Sequence, residues 1–229
     1  MPKWLVRLKG ERSDLEDFPK LLRLSKARVV EEDGSFYLES SKFNSLTSAE
    51  EVRERGRELI ELINGVAKLN EDNFLGISED AIIRVEDNGK RHGYLFLESS
   101  VKIRTKTRAQ LTAIAADGSE IGATQPSTLE SSFEVAQKYN VVAKALSLYR
   151  DETWNSLYKA YETIEGDVGG KIIKNGWAVK SDIDLFTQTA QLHRHVAKKK
   201  YKPPAQPMTL LEARALIKTI LSRWISSKM

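Results

Sequence analysis

Ala27-Arg-Val-Val-Glu-Glu-Asp-Gly-Ser-Phe-Tyr-Leu-Glu39 holds two strand-like runs either side of Asp33-Gly34. An Asp-Gly pair in that position is the strongest short-range hairpin signal, because both turn residues take positive φ at low cost. The device recurs. Asn88-Gly89 separates Ala81–Glu86 from His92–Leu97, and Asp117-Gly118 follows Leu111–Ala115. Upstream, Trp4–Lys9 alternates with Trp4, Val6 and Leu8 on one side, the period of a half-buried strand. Three turns of this kind predict a meandering antiparallel sheet.

Helices punctuate the sheet. Ser13-x-x-Glu16 resembles a capping box opening a short helix from Asp14 towards Leu24, which Pro19 interrupts. Ser48-x-x-Glu51 opens a longer one, with Val52, Gly56, Leu59, Ile60, Ile63 and Val66 at helical spacing and Glu51 and Arg55 as an i, i+4 pair. Such an apolar stripe must bury, so this helix is expected across one face of the sheet. The first half is therefore an α+β domain, over residues 1–124.

Ile121–Thr128 is small, polar and proline-containing, and reads as the connection to a second domain, 125–229. Helical spacing dominates from there. Short helices are expected over Phe133–Tyr139 and Val141–Arg150. A longer one over Thr153–Glu165 carries Trp154, Leu157, Tyr158, Tyr161 and Ile164 on one stripe and stops at Gly166–Gly170. Another covers Ser181–Lys199, with Ile183, Phe186, Ala190 and Ala197 on one side. After Pro203, Pro204 and Pro207, Thr209-x-x-Glu212 caps a last helix presenting Leu210, Ala213, Ile217, Ile220, Leu221 and Trp224. These stripes imply a bundle of four to six helices.

The composition narrows the function classes. The 229-residue chain has no cysteine, which excludes disulfides and thiolate metal sites and fits a reducing compartment. No run of 18 apolar residues occurs, so no membrane partner is expected and a soluble, cytoplasmic protein is. With three histidines and no paired-histidine helix, calcium loop, phosphate loop, Rossmann glycines or nucleophile elbow, neither a metal nor a cofactor is implied.

Charge is uneven. Residues 1–125 carry 20 Lys/Arg against 22 Asp/Glu, net −2, and residues 126–229 carry 16 against 10, net +6. Two basic features follow. Lys102, Arg104, Lys106 and Arg108 fall two apart, so a strand would set them on one face as a row about 20 Å long. That row reads first as a solvent-facing or edge strand protected by charge against aggregation, and otherwise as a track for a phosphate backbone or another acidic partner. Lys198, Lys199, Lys200 and Lys202 follow Arg194 closely and could grip phosphates or simply complement a helix C-terminus.

The candidate site for chemistry lies on the 181–199 helix. His193 falls in its apolar stripe and Arg194 at the margin, whereas His195 points elsewhere. Glu165 lies in the stripe of the 153–165 helix, with Glu162 at its edge. If the two helices pack, a carboxylate would meet His193 or Arg194. That contact is either a structural ion pair or an acid/base site in which His193 or His195 moves protons and Arg194 stabilises an anion.

Tyr161–Val168, Trp177, Phe186–Ala190, Arg194-His195, Pro207–Arg214 and Trp224 resemble the carboxy-terminal half of an uncharacterised family of bacterial proteins. More distantly, an acidic helix, a second helix ending in Arg/His and a final helix after a proline-rich turn are similar to HEPN domains. That resemblance implies a helical bundle in bacterial defence or toxin systems, often a dimeric, metal-independent ribonuclease. The usual HEPN signature is Arg followed, after four to six intervening residues, by His. Here Arg194 is followed at those distances by Lys199, Lys200 and Tyr201. The expected function is thus an RNA-associated protein that binds and could cleave RNA. The alternative is a noncatalytic adaptor or sensor that holds a protein partner of a defence system through the sheet and forms a homo-oligomer through the bundle.

Overall fold

The computed structural model describes residues 3–96, 126–194 and 204–229. The fold is α+β: among the described residues a five-stranded antiparallel sheet with helices, and a helical carboxy-terminal half. The chain divides into two compact units, Met1–Ser131 and Ser132–Met229.

In the first unit β1 (Lys3–Gly10), β2 (Ala27–Glu32), β3 (Ser35–Ser40), β4 (Ile77–Val85) and β5 (Arg91–Tyr94) are ordered β2-β3-β1-β4-β5. β1 is central, with one hairpin on each side. Asp33 and Gly34 take φ of 50° and 73°, as the first hairpin requires. The second turn differs from expectation. Only Gly89 is left-handed there, at φ 81°, and Gly89 N–H donates to Glu86 O while Glu86 N–H donates to Lys90 O. This is a three-residue loop closed by glycine. The third predicted turn, at 117–118, lies outside the described residues.

Both faces of β1 are covered. Val6 pairs with Leu38 and Ile82 on the face where α3 (Ala49–Asn70) lies, and Gly56 of α3 lets the helix approach Val6 closely. Leu5, which the alternating pattern assigned to solvent, is buried with Tyr37, Ala81 and Ile83 on the other face. The edge strands draw together over that second face: Arg91 of β5 pairs with Glu32 of β2, and its guanidinium sits 5.6 Å from the Tyr37 ring. The Ser48–Glu51 capping box forms. The Ser13 box does not. Pro19 instead sits in the first turn of its own helix, so the segment breaks into α1 (Arg12–Leu15) and α2 (Phe18–Leu21), with Glu11 as the uncapped start. Arg55 pairs with Glu58 rather than Glu51, whose carboxylate is taken by the Thr47 and Ser48 N–H groups.

The division between units falls within α4 (Thr128–Lys138). Its first turn belongs to the first unit, where Ser127 Oγ donates to Leu21 O and Glu130 accepts from Leu24 N–H.

The second unit continues with α5 (Asn140–Arg150), α6 (Trp154–Asp167), α7 (Lys180–Arg194) and α8 (Leu210–Ser226). Phe133, Leu146, Leu157, Phe186, Ile217 and Trp224 are among its fully buried side chains. α6 begins at a Thr153–Ser156 box and ends where Gly170 N–H reaches back to Glu165 O. Its end is tied to α8 by Asp167, which accepts from Trp224 Nε1 at 2.9 Å and pairs with Lys228 at 2.8 Å.

Candidate functional site

α6 and α7 follow one another in the chain and pack antiparallel. Four ring contacts fix their register: Trp154 with His193, Trp154 with Phe186, Tyr158 with Phe186, and Tyr161 with Phe186. Gln191 Nε2 adds a hydrogen bond to Tyr158 Oη at 3.2 Å. The start of α6 therefore meets the end of α7. Facing apolar stripes produce this interface, Trp154, Tyr158 and Tyr161 from one side and Phe186, Ala190 and His193 from the other.

That polarity overturns the expected carboxylate–histidine pairing. Glu165 lies eleven residues beyond Trp154, about 16 Å along the helix from the indole on which His193 rests. It accepts instead from Tyr161 Oη at 2.6 Å. Burial raises the Tyr161 phenol well above its ordinary pKa, and the bond to Glu165 adds to the shift. Glu162 is exposed on the same distant part of α6. A carboxylate on α6 would need to stand near Trp154 to orient the His193 imidazole, and Glu162 and Glu165 do not.

His193 itself is exposed, although its stripe predicted burial, because it sits at the last turn, where the interface runs out. Its ring lies parallel to the indole of half-buried Trp154, 3° from coplanar orientation with centroids 4.8 Å apart. Among the described residues it makes no hydrogen bond. Arg194 is the last residue of α7. His195, Lys198, Lys199, Lys200 and Lys202 lie outside the described residues, as do Lys102, Arg104, Lys106 and Arg108 and the strand expected to carry them.

No family model, curated protein or solved structure matches the chain.

Among the described residues, no group of three or more His, Cys, Asp or Glu side chains could hold a metal ion, and no helix is long and apolar enough to cross a membrane. The residues that sequence reasoning passed over are Trp154, as the partner of His193, and an open apolar groove of about 1020 Å³ between the 173–180 segment and α8. Trp177, Val179, Leu185, Met208 and Leu216 line this groove, with Arg223 bonded to Gly176 O at its wall. By sequence Trp177 lies in a connection or short helix with no apolar stripe around it, so nothing predicts which side it faces. The Trp154 contact was not legible, because the twelve residues between Asp167 and Lys180 are too many to impose an antiparallel pairing of α6 and α7.

Proposed function

We propose that the chain is an RNA-associated protein of the bacterial defence or toxin type, with an HEPN-like bundle that binds RNA at the end of α7. The observation that carries this reading is the exposed His193 ring, set on Trp154 at the helix end from which the chain runs into Lys198, Lys199, Lys200 and Lys202. Four residues separate His193 from Lys198, so the chain can set their Cα atoms no more than about 18 Å apart. An aromatic surface at the end of a helix whose sequence continues into a run of lysines suits a polyanion that also carries bases. The geometry does not support cleavage by a Glu165–His193 couple, and binding is the activity proposed.

Incubation of purified protein with labelled RNA in EDTA tests it. The expected result is a retarded, intact RNA whose binding falls steeply with salt and weakens when Lys198, Lys199 and Lys200 are replaced by alanine. Absence of binding at low salt would reject the reading.

The apolar groove beside α8 favours the second reading, a noncatalytic adaptor whose bundle mediates self-association while the sheet unit holds a protein partner. Sedimentation of wild type and Leu216→Glu discriminates: a concentration-dependent oligomer lost in the variant supports the adaptor, and a monomer throughout rejects it.

A further inference from the structure

We infer that the Trp154–His193 ring pair is a stacking platform for unpaired bases, which makes the ligand single-stranded RNA. The inference rests on the RNA-binding reading and names its substrate class.

A platform needs a flat, rigid, open ring. Flatness comes from the 3° angle between imidazole and indole. Rigidity comes from the rings behind: Trp154 also lies near Phe186, 6.3 Å away at 29°, and Phe186 in turn near Tyr158, 6.2 Å away at 22°. Tyr158 is held by Gln191, one helical turn from the site. The indole therefore has little freedom to lose on binding, which favours affinity. Openness follows from the burial pattern. One face of the imidazole covers the indole, yet His193 remains exposed, so its remaining surface is available to a ligand.

Other uses for His193 fit less well. A core histidine would be buried and hydrogen-bonded, and this one is neither among the described residues. A proton-moving histidine would be oriented by a partner, and the carboxylates expected in that part stand elsewhere on α6. What remains is a ring pair whose surface suits another ring. Base faces are free in single strands and hidden in duplexes, so stacking selects the former. Because every base offers such a face, the site discriminates strandedness more than sequence.

The test uses the full chain, a variant substituted at Lys198–Lys200, and three probes: a short single-stranded oligoadenylate, an abasic oligomer of equal length, and the corresponding duplex, which should bind wild type more weakly than the single strand. Replacing exposed His193 by alanine should weaken oligoadenylate binding about five- to a hundredfold, the range alanine substitution gives for a single stacked base. Binding of the abasic oligomer should not change, and His193→Phe should bind oligoadenylate nearly as wild type does. Equal affinity of wild type for oligoadenylate and abasic oligomer, with Lys198–Lys200 dependence intact, would overturn the platform and leave RNA binding through phosphates. Unaltered oligoadenylate binding by His193→Ala would do the same. No binding of any oligomer by wild type would overturn both.

Discussion

Gly56→Ala probes the contact that seats α3 on the sheet. Gly56 lies in the interior of a 22-residue helix, where exchange for alanine ordinarily stabilises by about 1 kcal/mol. Here a Cβ would stand 2.8 Å from Val6 Cγ2 and 3.5 Å from Val6 Cγ1. Val6 is fully buried on the central strand and β-branched, so it cannot swing aside. Overpacking of this kind costs about 1–3 kcal/mol. The clash should win, leaving a net loss of about 1 kcal/mol. Trp4 of the same unit reports it, in a background where Trp154, Trp177 and Trp224 are phenylalanine, through the midpoint of a urea titration. The decisive comparison is a double-mutant cycle. In Val6→Ala, which removes the clashing Cγ2 together with Cγ1, Gly56→Ala should change sign and stabilise. Stabilisation by Gly56→Ala in the Val6 background as well would refute the close approach and the seating of α3 derived from it.

Other outcomes follow from single contacts. Ser48→Ala removes the box that starts α3 and should cost about 1 kcal/mol, with Ser48→Gly costing only a few tenths, both read from urea midpoints. Trp224→Phe removes the bond that the fully buried indole donates to partly exposed Asp167, which keeps Lys228, and should lower stability of the helical unit by about 1.5 kcal/mol, read by circular dichroism in a urea titration of the otherwise unchanged chain. Burial pushes the Glu39 carboxyl up, but Lys3 and Arg28 together hold it below its ordinary value. A depressed acid stabilises above its unfolded pKa and loses that contribution as pH falls through the folded one. Wild type should therefore lose stability below about pH 4.3 more steeply than Glu39→Gln; parallel acid limbs would contradict the pairing. Tyr161, raised by burial first and then by Glu165, should ionise later than exposed tyrosines in an ultraviolet titration, and the fold should weaken as pH climbs above about 10.

Local chemistry made much of the architecture legible. Asp33-Gly34, the Ser48 and Thr209 boxes and the stripe of α3 each specify a piece of backbone within a few residues, and each forms. Failures occurred where a second segment decides. Leu5 alternates like a solvent-facing residue, yet the curled sheet buries it against Tyr37 and Ile83 from other strands. Ser13 has the spacing of a cap, but Pro19 four residues beyond Asp14's turn breaks the helix it would serve. The expected contact between Glu165 and His193 failed on direction. His193 and Glu165 sit on facing stripes, as their spacing says, but both stand towards the C-terminal ends of their helices, and antiparallel packing sends those ends apart. Trp154, at the opposite end of α6, inherits the contact.

The shared end of α6 and α7 is tested most directly by proton NMR of the His193 imidazole, assigned through His193→Gln against His92 and His195. A ring stacked on an indole 4.8 Å away should resonate upfield of an unstacked histidine, shift back in Trp154→Leu, and move when single-stranded oligoadenylate is added. An imidazole at the ordinary solvent-exposed position, indifferent to Trp154 and to RNA, would contradict the account.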